Sequence, residues 1–141
     1  MATYTKFNQF LEDLAHKVHK LDTDTLTVAL CATANAPVAA NAVLADLTQI
    51  AYTNLSTRVI TTTSSAQTAG QYKLTLTDLV LTASGGPVAA FQYIVIYNDT
   101  PTSPADPLIA FYDYGSSLVL ADGESLTLDF DGVNGFFTLG A

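Results

Sequence analysis

The chain has 141 residues, enough for one hydrophobic core, and we predict a single domain over residues 1–141. Its net charge of −8 and its pI of about 4.2 describe a surface that repels a phosphate backbone, so we expect no nucleic-acid binding. No apolar run approaches the roughly 18–20 residues of a membrane-spanning helix, and the single Cys31 excludes an intrachain disulfide framework.

An amphipathic pattern near the N-terminus predicts one α-helix over residues 5–21. Thr5 is the predicted N-cap, and acidic residues precede basic ones in the order that complements the helix dipole. The apolar side chains recur at spacings of three and four and form one stripe: Phe7, Phe10, Leu11, Leu14, Val18 and Leu21. Since an isolated helix of this length is marginally stable in water, we expect the stripe to pack on a β-sheet.

The next fifty residues contain shorter elements. Thr25–Cys31 alternates between apolar and polar or small residues and predicts a half-buried strand. Ala32–Ala51 is alanine-rich and predicts a long connection, with one helical turn in Leu44–Ile50. Thr57–Thr63 predicts a threonine-rich strand with Val59 inside, and Ser64–Gly70 predicts a loop.

The longest β-forming stretch is Tyr72–Asn98, in which two apolar runs flank Gly85-Gly86-Pro87. Two such runs around a break predict a hairpin. In the first run the apolar positions change from even to odd at Thr77-Asp78, which predicts a β-bulge or a bend. The second run is apolar on both faces, so we expect something other than the opposing sheet to cover one of them. The N-terminal helix is one candidate cover.

The last third of the chain continues the β pattern. Asp99–Pro107 carries three prolines and predicts a loop outside the sheets. Further strands follow at regular spacing: Leu108–Tyr114, Ser117–Leu120, Ser125–Phe130 and Gly135–Leu139. Asp122-Gly123 predicts a hairpin turn between the second and third of these. The total of about eight strands predicts a mainly β fold, an antiparallel β-sandwich or jelly roll over residues 25–139.

The sequence contains histidines and carboxylates that could bind a metal ion or act in catalysis, but none of them completes a known metal-binding or catalytic motif. His16 and His19 lie three residues apart with Glu12 one turn earlier, a spacing that suits metal ligands, yet the chain has no other histidine and no HExxH motif. We therefore favour a solvated polar helix face. No GxSxG elbow and no phosphate-binding glycine loop occur.

Two other features have plain structural explanations. Asp129–Asn134 resembles the start of a calcium loop, but Val133 stands where an oxygen ligand belongs, so we favour a turn held by Asp and Asn. Cys31 has no basic neighbour in sequence that would lower its pKa, which favours a buried structural thiol. We predict that the protein is not an enzyme and holds neither a metal nor another cofactor.

The tyrosines of the apolar strands are the candidate site. Tyr93, Tyr97, Tyr112 and Tyr114 lie in strands that are apolar on both faces. Either the N-terminal helix covers them or a neighbouring subunit does, and protein interfaces favour tyrosine and few charges. Because only 13% of residues are charged while 49% are hydrophobic, we favour a subunit interface.

Three segments resemble small structural proteins of tailed bacteriophages: KFNQFLEDLAHKVHKLDTDTLTVALC (Lys6–Cys31), ASGGPVAAFQYIVIYND (Ala83–Asp99) and LIAFYDYGSS (Leu108–Ser117). Within that group the chain is most similar to capsid decoration, or cement, proteins. The resemblance implies a β-rich protein that binds the outside of the assembled capsid and reinforces it, usually as an oligomer. The partners implied are the major capsid protein and further copies of the chain, as a dimer or a trimer.

The implied location is the exterior of the virion, after synthesis in the host cytoplasm. The alternative is a tail or tail-fibre component that binds a host surface, such as a carbohydrate, through the loops Ala32–Ala51 and Asp99–Pro107. Position on the particle, head or tail, distinguishes the two hypotheses.

Overall fold

The computed structural model describes residues 2–140, which contain one α-helix and ten β-strands. The strands form three antiparallel sheets. The helix, α1, spans Asn8–Ala15. The strands are β1 (Thr3–Lys6), β2 (Leu26–Cys31), β3 (Val59–Ile60), β4 (Thr62–Thr68), β5 (Gln71–Leu76), β6 (Leu79–Thr82), β7 (Phe91–Asn98), β8 (Leu108–Leu118), β9 (Ser125–Leu128) and β10 (Phe137–Leu139). The prediction of a mainly β, antiparallel fold with one N-terminal helix is confirmed. No helix in residues 2–140 has the length and apolar character that crossing a bilayer requires.

The largest sheet has five strands in the order β1-β8-β7-β2-β3. Of its three inner strands, β2 and β7 are buried over almost their whole length, whereas β8 is buried only over Leu108–Phe111. The other sheets are small, with the orders β10-β5-β4 and β6-β9. They lie against one face of the five-stranded sheet and form a sandwich-like arrangement with it.

The central hairpin predicted around Gly85-Gly86-Pro87 is wrong. The strand after this break, β7, pairs with β2 and β8, whereas the strand before it, β6, pairs with β9. Burial explains the difference, because β7 is apolar on both faces and lies in the middle of the largest sheet. Strand β6 has one solvent-exposed face, on which Val80 is 49% exposed. It pairs with β9, which also has a solvent-exposed face.

The second predicted hairpin is also wrong, although its turn forms. The amide of Glu124 donates to the carbonyl of Ala121 at 2.9 Å, and Gly123 at the turn has φ 84°. The chain on either side joins different sheets: the last residue of β8, Leu118, is opposite Phe91, and β9 pairs with β6. The bend predicted at Thr77-Asp78 does occur. There the chain passes from β5 in one small sheet to β6 in the other.

Two hydrophobic clusters lie on opposite faces of the five-stranded sheet. The main core fills the space between the sheets; its largest fully buried side chains include Phe10, Leu26, Leu30, Leu74, Leu81, Phe91, Ile96 and Ile109. The second core lies on the other face and consists of Phe7, Ala29, Cys31, Val95, Tyr97, Leu108 and Phe111. Strand β2 contributes to both, so all six of its residues are buried and the prediction of a half-buried strand is wrong.

The segment 32–50 covers the second core. Its Leu44 and Leu47 pack against the cluster, and the predicted helical turn is a short 3-10 turn at Leu44–Asp46. Backbone hydrogen bonds fix the segment to the sheet, with Leu44 N donating to Asp106 O, Leu108 N to Ala42 O and Ile50 N to Leu30 O, each at 2.9 Å. The second face is thus covered by the same chain.

The helix is shorter than the sequence predicts. Thr5 belongs to β1, Phe7 is at the N-cap without a side-chain hydrogen bond, and Lys17 adopts a left-handed φ of 66° just after the end of α1. Phe7 and Phe10 enter different cores, and Leu11 is 46% exposed. The N-terminal segment therefore contributes one phenylalanine to each core.

The region Thr57–Gly70 also differs from its prediction. Residues assigned to a loop form strand β4, which turns into β5 through Ala69 and Gly70, both with positive φ. In β3, Ile60 is buried and Val59 is 48% exposed, the reverse of the predicted orientation. Threonine and serine favour a half-exposed strand here, and the positive-φ pair provides the hairpin turn.

Candidate binding cleft

The two histidines do not form a site together. His16 is exposed after the end of α1, with its Nδ1 3.8 Å from Glu12 Oε1, whereas His19 is buried and packs on the Phe10 ring. Their predicted i,i+3 relation is lost because the helix stops before them. In the part of the chain that the structure describes, no three His, Cys, Asp or Glu side chains are grouped to hold a metal ion.

His19 instead belongs to a buried polar link between the turn after α1 and the end of β7. The side-chain amide of Asn98, fully buried, donates to His19 Nδ1 at 3.0 Å and to Asp24 Oδ2 at 2.5 Å. Burial lowers the pKa of His19, and the nearby carboxylates of Asp13 and Asp24 act in the opposite direction. The sequence signal for this link is an asparagine at the end of an apolar strand.

Cys31 and the Asp129–Asn134 segment have the structural roles predicted for them. Cys31 is fully buried in the second core, and burial raises the pKa of its thiol to about 11, which keeps it protonated and unreactive. Asp131 accepts hydrogen bonds from the amides of Val133 and Asn134 and from the side chain of Asn134, at 2.7–2.9 Å. These bonds make the segment an Asp-Asn turn.

The four candidate tyrosines divide between the two faces of the five-stranded sheet. Tyr93 and Tyr97 lie on the side of the second core, where Tyr97 is only 5% exposed beneath its own chain. Tyr112 lies opposite Ile94 on the side of the main core, and Tyr114 is 41% exposed. Tyr112 and Tyr114 line one surface cleft together.

A β-bulge in β8 displays Tyr114. Along the β7–β8 pair, Tyr93 is opposite Asp113 and Phe91 is opposite Leu118, so residues 114–117 bulge out of the ladder. Asp113 Oδ1 closes the base of the bulge by accepting hydrogen bonds from the Gly115 amide at 2.8 Å and from Gln92 Nε2 at 2.9 Å. Bulges commonly redirect side chains at functional surfaces, and this one holds Tyr114 outside the ladder.

Tyr114 stands at the edge of an apolar cleft of about 240 Å³ between β8 and β9, which we call the Tyr114 cleft. It is lined by Ala2, Ile94, Tyr112, Tyr114, Leu126, Thr127, Leu128, Asp129 and Phe130. Tyr112 also packs against Tyr4, with ring centroids 5.3 Å apart, and burial raises its pKa to about 12. Tyr112 therefore keeps its hydroxyl proton at physiological pH.

The lining of the Tyr114 cleft is mainly apolar. It contains no histidine, cysteine, lysine or arginine, and Asp129 is its one charged residue. A concave apolar surface with a few polar groups at its edge is the usual form of a binding site. The cleft accommodates one or two apolar side chains, with Asp129 placed to attract a neighbouring cation.

Within residues 2–140, fold and cleft together describe an antiparallel, sandwich-like β protein with an apolar cleft between β8 and β9. Comparison of the chain with protein-family models, with curated proteins and with solved structures found no match.

Proposed function

We propose that the chain is a structural protein of a tailed bacteriophage that binds the outside of the capsid and reinforces the contacts between capsomers. The Tyr114 cleft is the contact surface, and its partner is an apolar segment of the major capsid protein flanked by a lysine or an arginine. The resemblance of Lys6–Cys31, Ala83–Asp99 and Leu108–Ser117 to decoration proteins supports the class of protein. The observation that carries the docking site is the exposed Tyr114 held beside an apolar cleft.

Tyrosine on a fixed backbone is well suited to anchor an interface. It offers a large apolar area at a low cost in side-chain entropy, and such residues are enriched among those that dominate binding energy. The hydrogen bonds from Gly115 and Gln92 to Asp113 hold the bulge before any partner binds. Little ordering is then required on docking.

Charge supports the choice of a basic partner segment. The chain has a net charge of −8, and the only charged side chain in the cleft lining is the carboxylate of Asp129. Such a surface attracts a basic protein segment and speeds its encounter, while it repels the nucleic acid that a damaged particle releases.

Binding of this kind reinforces a shell without any chemical step. A protein that binds the assembled capsid and not the separated subunits stabilises the assembly by mass action. Contacts repeated on neighbouring capsomers multiply the effect through avidity. Because the chain covers both faces of its central sheet with its own residues, it can be added to a finished particle.

Particles of the phage that encodes the chain provide the test. Quantitative mass spectrometry should find the chain in near-stoichiometric ratio to the major capsid protein, and antibody labelling should decorate the head. Particles that lack the chain should release DNA at a lower temperature than complete particles. Absence of the chain from purified particles would refute the proposal, and labelling confined to the tail would favour the tail-component hypothesis.

A further inference from the structure

Strand β4 is an open edge of the three-stranded sheet. In the order β10-β5-β4 it pairs only with β5. Apart from that pairing, residues 62–68 form no backbone–backbone hydrogen bond with any other part of residues 2–140. Its sequence, TTSSAQT, contains neither a charged residue nor a proline. Edge strands are usually protected by one of these, or by being very short, because their free N–H and C=O groups pair readily with another strand.

The turn into β5 determines which groups of β4 face outward. Ala69 and Gly70, with φ 50° and 84°, form a two-residue turn of the type whose flanking residues, Thr68 and Gln71, make a hydrogen-bonded pair. Hydrogen-bonded and non-hydrogen-bonded pairs alternate along an antiparallel ladder. The N–H and C=O groups of Gln67 and Ser65 therefore point away from β5, toward the free edge.

The other outer strands of the described sheets are shorter, so each offers fewer free backbone groups at its edge. Strands β1, β6 and β9 have four residues each, β10 has three and β3 has two, whereas β4 has seven. A register shift between Thr62 and Ser64 disturbs only the first part of β4. Its later part, Ser64–Thr68, is a regular and largely exposed template.

We propose that β4 pairs with β4 of a second copy of the chain, antiparallel and about a two-fold axis, and joins two three-stranded sheets into one of six strands. A second copy fits because the edge is neutral: Val59–Tyr72 contains no charged residue, so two chains of net charge −8 meet there without opposed carboxylates. A basic partner, which suits the Tyr114 cleft, finds no carboxylate on β4. Serine and threonine side chains also form hydrogen bonds across antiparallel strands.

This pairing is independent of the proposed function, since it follows from the free edge alone. If both hold, one dimer carries two Tyr114 clefts and can contact two capsomers at once, which raises avidity. Sedimentation of the purified chain tests the pairing without any particle. Its failure would therefore leave the capsid proposal standing, and failure of the particle test would leave the pairing standing.

Two substitutions at one position separate the backbone from the side chain. Gln67→Ala and Gln67→Pro both remove the side-chain oxygen that accepts a hydrogen bond from the Gly70 amide at 3.1 Å. Only Gln67→Pro also removes the outward N–H, and proline is tolerated in edge strands where its nitrogen faces solvent. In sedimentation velocity over a concentration series, wild type and Gln67→Ala should dimerise, and Gln67→Pro should dimerise at least tenfold more weakly. A monomeric wild type at all concentrations, or equal dimerisation of all three proteins, would overturn the proposal.

Amide hydrogen exchange of the wild-type chain gives a second measurement that needs no variant. The Gln67 and Ser65 amides should exchange rapidly in dilute solution and become protected as the concentration rises, while the Ala66 and Thr68 amides, paired to β5, stay protected throughout. Rapid exchange at Gln67 at every concentration would contradict the pairing even if Gln67→Pro failed to fold.

Discussion

Replacing Asn98 with alanine tests whether the buried polar link holds the N-terminal region on the sheet. Asn98 is fully buried at the end of β7 and makes three side-chain hydrogen bonds. It donates to His19 Nδ1 at 3.0 Å and to Asp24 Oδ2 at 2.5 Å, and its Oδ1 accepts from the Thr100 amide at 3.1 Å. Alanine satisfies none of these partners.

The expected loss in the free energy of unfolding depends on how exposed each hydrogen-bond partner of Asn98 is. The buried His19 nitrogen loses a neutral hydrogen bond, which costs about 1 kcal/mol, and the charged Asp24 loses about 1.5 kcal/mol. The Thr100 amide, which is near solvent, loses less than about 1 kcal/mol because water replaces the bond. The total of about 3 kcal/mol is a large fraction of the roughly 5–15 kcal/mol by which domains are stable.

Urea unfolding followed by circular dichroism measures the effect. With a slope of about 2 kcal/mol per molar urea, Asn98→Ala should lower the midpoint by about 1.5 M. Asn8→Ala is the control, because Asn8 is exposed at the first position of α1, and its free energy of unfolding should change by less than about 0.5 kcal/mol. Equal midpoints for Asn98→Ala and wild type would show that the link contributes nothing.

Three further predictions concern titration, backbone and thiol. Because burial lowers the pKa of His19, the folded chain binds fewer protons there than the unfolded chain, whose histidine pKa is about 6.5. The melting temperature should therefore fall as the pH is lowered below about 6.5, and His19→Gln should reduce that slope. In chemical denaturation, Gly135→Ala should lower the free energy of unfolding by about 2 kcal/mol and Gly123→Ala by about 1 kcal/mol. Both glycines have positive φ, but of the two only Gly135 would place a new Cβ against backbone, 3.0 Å from Leu74 O. Equal losses of stability for the two variants would show that this close contact has no effect. Cys31 should resist alkylation at pH 8 in the folded chain and react fully in urea, as mass spectrometry would show.

The sequence was sufficient for the class of fold because local patterns carry that information. Alternation and turn residues marked most strands, and the Asp-Asn turn at residues 131–134 and the buried Cys31 followed from residue chemistry alone. The bend at Thr77-Asp78 was also visible, since a change of parity in the apolar positions requires it.

Strand pairing could not be predicted in the same way, because it depends on which strands share burial and not on which are adjacent in sequence. Strand β7 pairs with β2 and β8 since β2, β7 and the first part of β8 are buried on both faces. The Gly85-Gly86-Pro87 break leads from one sheet to another. The cover of the second core was missed for a related reason. The alanine-rich segment 32–50 has no periodicity, yet Leu44 and Leu47 are enough to close that face.

The candidate site was predicted in part. Tyr112 and Tyr114 do meet at a surface cleft, but the bulge that displays Tyr114 arises from a register shift that no local pattern encodes. Tyr93 and Tyr97 lie on the opposite face, where the chain itself buries Tyr97. The apolar area of the central strands therefore requires no partner to cover it, and the proposed docking site depends on the exposed Tyr114 and its cleft.

Binding of the purified chain to capsids that lack it tests docking through the Tyr114 cleft most directly. Tyr114→Gln removes the exposed ring, and Leu11→Gln is the matched control, because Leu11 is exposed to a similar extent, 46% against 41%, on the helix. Tyr114→Gln should weaken binding to the capsid by about tenfold or more, as expected for an interface anchor, while Leu11→Gln should bind like wild type. Equal affinity of Tyr114→Gln and wild type for the capsid would contradict the account.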